Sequence, residues 1–396
     1  VTAPPRPPLT AEEAAAIAAR ILSHGGNRPV ILQDVETLSN GARRNLVLQA
    51  VAASEGETAR SVIVKATRDE SYDPSSANAF RAFGLVWEWA AASLLARRAP
   101  GRGHRAAFLG GDAASGVMVF ADLGRGLPSL VRPLLQGTAD AAEQALLAHA
   151  AALGRLHADT AQCRDDHRAA LQTAFPAADP PRRAEDWAAR VPPAAAALLG
   201  GALPDDEIAL IAQRIASPEP WLALVHGDPC PDNTLFVADA AVLIDHEFAR
   251  PGHALFDAVT ARMGFPTCWC AGALPAEIVT RIETTYRREA SVGIPGMGDD
   301  DAFRIETAMI TAAAMFDALE WQLEPALAED MIWGIAPRRG RTLHHLETVI
   351  RATEAAGVLP RVRALAAEWL GRLHVAWPDG ASLALYPAFA RTEPAA

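Results

Sequence analysis

From Val30 to Thr67 the distribution of apolar and polar positions has the texture of strands. Val35–Leu38, Leu46–Ala52 and Ser61–Ala66 are short apolar-rich runs, parted by Ser39-Asn40-Gly41-Ala42-Arg43-Arg44 and by Ser54-Glu55-Gly56-Glu57. That is the pattern of an antiparallel meander. Two further strands are predicted at Ala106–Leu109 and Val117–Ala121, on either side of Gly110-Gly111-Asp112. Elsewhere the period is helical. Thr10 and Glu13 form a T-x-x-E capping box ahead of Ala14–Leu22, which Gly25-Gly26 should end. Phe80–Ala96 repeats apolar residues at Phe83, Val86, Trp87, Leu94 and Leu95, and Glu88 is its one acid. Asp140–His157 carries Leu146, Leu147, Ala150, Leu153 and Leu156 on one face, with Asp140 and Glu143 as its cap and His157 as a cation at its C-terminus. Helical patterns continue at Arg183–Arg190 and Asp205–Ile215. They resume at Phe256–Met263, Ala276–Glu289, Asp300–Leu323, Ala326–Ile335, Arg341–Ala356 and Arg361–Leu373. A strand-rich start and a helical remainder predict an α+β chain. Its first part is 1–122, with the N-terminal helix. Its second is 123–396, with a helical insert at 158–221, and Asp122-Leu123-Gly124-Arg125-Gly126 lies at the boundary.

The stretch Leu222–Asp257 interrupts the helices and carries the chemistry. Leu222–Val225 and Ala241–Ile244 read as short strands, with Thr234–Val237 between them. Asp228 and Asn233 follow the first strand and Asp245 ends the last, so three oxygen-bearing side chains stand at adjacent loop ends. A carboxylate beside an amide and a second carboxylate suits Mg²⁺-assisted phosphoryl transfer. Asp228 would accept the proton of an attacking hydroxyl, while Asn233 and Asp245 would hold the metal on nucleotide phosphates. A plain hairpin with polar ends is the alternative.

His226-x-Asp228-x4-Asn233, Ile244-Asp245-x-Glu247 and Gly252-x4-Asp257 together resemble the aminoglycoside phosphotransferase and choline kinase family, within the protein-kinase-like fold. The chain departs from protein kinases where Gly227 replaces the Arg of H-R-D and Asp245-His246-Glu247 replaces D-F-G. The resemblance implies a bilobal fold with a small antiparallel-sheet lobe and a larger helical lobe. Val62-Ile63-Val64-Lys65 looks like the V-A-I-K strand, which implies that Lys65, paired to Glu88, holds the α/β-phosphates of ATP. GTP is left open. Gly41 and Arg44 occupy the place of the phosphate-covering loop, with a solvated turn as the alternative for Arg44. The backbone of Phe120, Ala121 and Asp122 is expected to meet the adenine. His226 is expected to shape the catalytic loop and Asp257 to buttress it.

Composition narrows the partners. Of 396 residues, 50% are hydrophobic and 21% charged, and no apolar run is long enough to span a membrane. The N-terminal VTAPPRPPLT lacks the apolar core of a signal peptide, which with the rest suggests a cytoplasmic protein. A formal net charge of −11 argues against general nucleic-acid binding and suits a cationic substrate. The oligomeric state stays open. Cys163, Cys230, Cys268 and Cys270 lack finger-like spacing and read as free thiols in a reducing compartment. The substrate class expected from the resemblance is a small hydroxylated molecule: an aminoglycoside, amino-sugar, choline-like compound or other amino alcohol. Glu247, and Asp317, Glu320 and Trp321 on one helical face, are candidates to meet it, with a structural position or a solvated face as the alternative. A nucleotide-binding pseudokinase is the rival from another class, although Lys65, Asp228 and Asp245 are all present. A protein kinase is a second rival, opposed by the insert and by the lack of an A-P-E segment.

Overall fold

The computed structural model describes residues 7–39, 44–75, 84–178 and 186–390. In chain order its elements begin α1 (Ala11–Gly26), β1 (Ile31–Thr37), β2 (Asn45–Ala53), β3 (Arg60–Thr67), α2 (Leu85–Arg98), β4 (Phe108–Asp112) and β5 (Val117–Ala121). There follow α3 (Val131–Gln136), α4 (Ala139–Asp159), α5 (Arg164–Ala174), α6 (Trp187–Leu199) and α7 (Asp205–Ala216). The middle holds β6 (Leu222–Val225), β7 (Thr234–Val237), β8 (Ala240–Leu243), β9 (Arg250–His253) and α8 (Leu255–Ala258). The last part comprises α9 (Ala276–Ala290), α10 (Asp300–Ala328), β10 (Ile332–Trp333), β11 (Ala336–Pro337), α11 (Arg338–Ala356), α12 (Pro360–Ala376) and α13 (Pro387–Ala390). No helix among the described residues is long and apolar enough to cross a membrane.

The chain forms two compact units that interleave along the sequence. One unit is Val1–Leu127 with Arg164–Pro181 and Val242–Arg250. Its centre is an antiparallel sheet of five strands, in the order β1-β2-β3-β5-β4. Side chains of a strand point alternately to its two faces, and β3 uses both. Val62, Val64 and Ala66 pack with Ala14, Ile17, Ala18 and Leu22 of α1. Ile63 belongs instead with Met118, Phe120 and the α2 residues Leu85, Val86 and Trp89. Lys65 has the parity of Ile63, so strand geometry alone turns it toward the α2 side. The capping box of α1 forms: the Glu13 amide donates to Thr10 Oγ1 at 3.2 Å, and the Thr10 amide donates to Glu13 Oε2 at 2.8 Å. The helix runs through Gly25-Gly26 and stops where Asn27 turns left-handed at φ 53°. Helix α5 is joined to α2 by Trp87 stacked on His167, and by an ion pair of 2.5 Å between Arg98 and Asp166.

The other unit, Pro128–Cys163 with Arg182–Ala241 and Pro251–Ala396, is larger and mostly helical. Its core is the apolar face of α10 (Met309, Ala312, Ala313, Phe316, Leu319, Leu323) against Leu343, Leu346 and Val349 of α11 and Val362, Leu365 and Trp369 of α12. The strand β6 is buried along its whole length. A small antiparallel sheet in one unit and a helical mass in the other make the α+β class expected from the pattern.

Local departures from expectation have physical causes. Helix α4 is capped by Thr138, whose side chain accepts from the Ala141 amide at 3.3 Å, while Glu143 pairs with Arg281. The start expected for α2 at Phe80–Phe83 lies outside the described residues. A helix over Ala326–Ile335 does not form. Helix α10 instead carries Pro325 in its last turn and ends at Ala328, and β10 and β11 then make a tight hairpin around Gly334. Gly334 has φ 66°, and a Cβ there would lie 1.8 Å from the Trp269 carbonyl oxygen, so both conformation and space demand glycine.

Gly334→Ala should therefore lose more than about 1 kcal/mol of stability in urea unfolding. Gly298→Ala, where nothing lies within 4 Å and φ is ordinary, should stay within about 0.5 kcal/mol. Equal losses at the two positions would refute the hairpin.

Candidate active site

In the sheet-bearing unit the site grows from one buried cation. Lys65 is 9% exposed, and its Nζ donates to Glu88 Oε2 and to Asp245 Oδ1, each at 2.5 Å. Burial pushes an ammonium pKa down, but the charges of Glu88 and then Asp245 outweigh it and hold Lys65 above its usual value. Burial in turn pushes the Glu88 carboxyl up against the pull of Lys65. Asp245 stands in the left-handed region at φ 63°, which a non-glycine residue holds only where its surroundings dictate it. Its side chain keeps 36% exposure, so it is not consumed by the lysine. Glu247, half-buried two residues on, is pushed up to about 7 by burial and by the neighbouring Asp245 charge. Arg105 is a member of this cluster that the sequence pattern did not single out. Its guanidinium lies over the Phe120 ring at 5.1 Å, and burial lowers its pKa to about 10 against the pull of Glu88.

The other residues expected to meet nucleotide lie in the same unit. The Ala121 amide donates to the Ala107 carbonyl at 2.8 Å and the Asp122 amide to the Ser61 carbonyl at 3.2 Å. Those two amides are thus used within the fold. The Asp122 carboxylate accepts from Ser61 Oγ at 2.6 Å and from the Gly124 amide at 2.9 Å, and so fixes the turn after β5. Arg44 is exposed at the start of β2. Gly41 lies outside the described residues.

In the helical unit the catalytic loop hangs from β6. Asp257, 1% exposed, accepts the His226 amide at 2.5 Å on Oδ2 and the Gly227 amide at 3.0 Å on Oδ1. Gly227 takes φ 80°, which explains why glycine stands where protein kinases carry Arg. His157 is not the exposed helix-end cation expected from its position. It is fully buried, with Nε2 at 3.0 Å from Asp257 and Nδ1 at 2.8 Å from the Tyr286 hydroxyl. A carboxylate can only accept, so Nε2–H donates to Asp257, while Nδ1 shares a hydrogen bond with the tyrosine hydroxyl. Burial works to raise the Asp257 pKa, but the bonds and charges of His157 and His226 prevail and lower it.

Below this support, Asp228 is bracketed by donors. Thr267 Oγ1 donates to its Oδ1 at 2.8 Å, and Asn233 Nδ2 donates to its Oδ2 at 3.2 Å and to its backbone oxygen at 3.0 Å. With Nδ2 directed at Asp228, Asn233 has Oδ1 left to offer a cation. The turn Pro231–Asn233 is closed by the Asn233 amide on the Cys230 carbonyl at 2.9 Å. Cys230 and Cys268 are joined as a disulfide, contrary to the free thiols expected, while Cys163 and Cys270 are free and buried. The bridge lies against Asp228, with Cys230 Sγ 3.1 Å from its Oδ1. Cys268 sits in a loop that the buried Arg341 clamps, donating to the Cys268 carbonyl at 2.8 Å and the Trp333 carbonyl at 2.7 Å.

The helical-face candidates for substrate are occupied by their own surroundings. Asp317 accepts from Trp187 Nε1 at 2.8 Å, Glu320 pairs with Arg190, and Trp321 packs edge-on against Trp333. Each finds a different neighbour within the chain. Thr267, Arg341 and Tyr286 escaped sequence reasoning because all three stand far in sequence from Leu222–Asp257 or from the residues they contact. Only the cysteine inside Pro229-Cys230-Pro231 was a visible signal.

Asp257→Asn should lose about 2 kcal/mol or more of stability at pH 7, because two amides and an imidazole lose a charged acceptor. The folded Asp257 pKa lies below 3.8, so its contribution is present above that pH and disappears as the pH falls through the lowered value. Urea unfolding at stepped pH should show wild type and variant converging below pH 3.8. Parallel curves would overturn the assignment.

No curated protein matches the chain. Among solved structures it is similar to a choline/ethanolamine kinase family protein from Mesorhizobium loti, at 17% identity over 86% of this chain and 93% of that one, with a TM-score of 0.40. It is similar also to a choline kinase from Cryptosporidium parvum, at 13% identity over 85% and 93% with a TM-score of 0.46. A choline kinase from Streptococcus pneumoniae gives 12% identity over 82% and 94%, with a TM-score of 0.43. Residues 119–290 match the model of the phosphotransferase enzyme family, and all of Leu222–Asp257 falls inside them. His226, Asp228, Asn233 and Asp245, whose spacing suggested the resemblance, all lie within the matched residues.

Proposed function

We propose that this phosphotransferase moves the γ-phosphoryl group of ATP to a hydroxyl of a small molecule, with Mg²⁺ as its metal. The observation that carries the reading is Lys65, a buried cation held between Glu88 and Asp245 at 2.5 Å each. A lysine so fixed presents a charge of defined position to nucleotide phosphates, and phosphoryl transfer depends on positioning and electrostatics above all. The metal donors proposed are Asn233 and Asp245. An amide oxygen and a carboxylate are hard ligands that suit Mg²⁺. When bound, the ion would neutralise charge on the nucleotide's phosphates.

The protein's own residues do the remainder. Asp228 receives the acceptor hydroxyl, orients it and takes its proton as the new P–O bond forms. Its Oδ1 already accepts one hydroxyl, that of Thr267, at 2.8 Å. Asn233 and Thr267 keep the carboxylate aimed. His226, through its amide on Asp257, holds the loop in shape and exchanges no proton. Glu247, beside Asp245, is the remaining candidate for contact with metal or substrate. The backbone of Phe120–Asp122 remains the proposed adenine contact, through groups other than the Ala121 and Asp122 amides. The net charge of −11 favours an amine-bearing acceptor such as an amino alcohol or amino-sugar. Asp317, Glu320 and Trp321 are left out of the acceptor contacts, since each is engaged elsewhere.

Asp228→Asn should lower kcat by about 10²–10⁴-fold, the usual share of a general base, in a coupled assay across amines and amino-sugars. It should keep the ATP-induced rise in melting temperature. Lys65→Met should instead abolish that rise. An Asp228→Asn enzyme of normal turnover would sink the assignment.

A further inference from the structure

Four atoms that no part of the transfer reaction uses as a set converge on the catalytic base. Cys230 Sγ, Cys268 Sγ and one Asp228 carboxylate oxygen all lie within 4.8 Å of one another. Thr267 Oγ1 is 2.8 Å from Asp228 Oδ1, 3.6 Å from Cys230 Sγ and 4.0 Å from Cys268 Sγ. Two sulfurs, a carboxylate and a hydroxyl form a donor set for a soft divalent cation such as Zn²⁺, whereas Mg²⁺ prefers oxygen alone.

We propose that Cys230, Cys268 and Asp228 form a zinc-class metal site when the disulfide is reduced, and that the disulfide keeps the base free of such metal. The chemistry balances simply. A small-molecule dithiol supplies two electrons and two protons, opens the bridge to two thiols and leaves as its own cyclic disulfide. The cation then binds both sulfurs, releasing their two protons, and Asp228 supplies a third ligand. In a tetrahedral site with Zn–S near 2.3 Å the sulfurs must part to roughly 3.8 Å. A Cα–Cα separation of 5.7 Å leaves room for that by side-chain rotation. The bridge is not the only link between these two loops. Trp269 Nε1 donates to Asp232 Oδ2 at 2.9 Å across them, and Arg341 holds the Cys268 carbonyl at 2.8 Å. A cation at this site would take the carboxylate that the acceptor hydroxyl needs. That consequence rests on Asp228 being the base, whereas the binding does not.

Co²⁺ is the probe, because two thiolates give it a charge-transfer band in the near ultraviolet. The full-length protein reduced with dithiothreitol and desalted under nitrogen should bind one equivalent with that band, and the oxidised protein none. Cys230→Ser should lose the band and Cys270→Ser should keep it, which separates the site from the free thiol two residues past Cys268. Cys268→Ala replaces Cys230→Ser if the latter has no cooperative melting transition. Asp228→Asn should weaken binding by at least the roughly tenfold that loss of even an outer partner costs a metal site. Zn²⁺ added with excess Mg²⁺ should abolish transfer by the reduced wild type and spare the oxidised enzyme. No thiolate band in the reduced protein, equal binding by the oxidised protein, unchanged affinity in Asp228→Asn, or loss of the band in Cys270→Ser alone would overturn the site. A protein without any transfer activity would refute the functional reading and leave the cobalt result to stand by itself.

Discussion

A primary ammonium taken out of water is tolerated only with anionic partners, and the sheet-bearing unit is organised by that constraint at Lys65. Strand alternation turns Lys65 to the α2 side, where Ile63, Met118 and Phe120 supply an apolar setting. The low exposure that strengthens its attraction to Glu88 and Asp245 would be ruinous without them. Two carboxylates crowd one lysine, with Arg105 near Glu88 as a second cation. Burial and the Asp245 charge accordingly raise Glu88, and the same pair of causes brings Glu247 up to about 7.

Asp257 plays the corresponding part in the helical unit with the signs reversed. Here the buried charge is an anion, and its partners are two consecutive backbone amides and an imidazole. Backbone donors cannot be repositioned by rotamer changes, so accepting the His226 and Gly227 amides fixes the path of the chain into Asp228. The left-handed Gly227 belongs to the same device, since a side chain there would oppose the turn that aims both amides at one carboxylate. Tyr286 and His157 extend the support outward to α9 and α4. The Asp228 carboxylate accepts from Asn233 and Thr267 and stays partly exposed. Rigid support beneath an accessible carboxylate is the combination that a positioned base requires.

Elements with strong local signals were legible. The capping box at Thr10, the meander from Val35 to Ala66, the parity of Lys65 and the spacing from His226 to Asp245 all act within a few residues, or repeat with a fixed period. Misreadings arose where a distant partner decides the outcome. Nothing local distinguishes His157 at the end of a helix from a solvated cap, because its burial depends on Asp257 and Tyr286, 100 and 129 residues away. Glu143 stood at the right spacing for a cap, yet Arg281 from α9 drew it away. The hairpin at Ile332–Pro337 looked like a continuing helix until Gly334 met the Trp269 carbonyl. Asp317, Glu320 and Trp321 share a face by periodicity, and their neighbours Trp187, Arg190 and Trp333 come from elsewhere in the chain.

The cysteines carry that reasoning one step further. Spacing excluded a zinc finger and so favoured four unconnected thiols, yet the fold brings Cys230 and Cys268 together across 38 residues beside Asp228. Neither cysteine was placed by the motif. Cys230 occupies a variable position inside the x4 segment between Asp228 and Asn233, and Cys268 belongs to a loop defined by Thr267 and Arg341. The groups that hold the Asp228 carboxylate, the Thr267 hydroxyl on one side and the Asn233 amide on the other, are therefore in the same loops as the bridge. Reactivity at Asp228 and the redox state of that bond share one loop, so the chemistry legible in the motif is conditioned by residues that the motif does not contain.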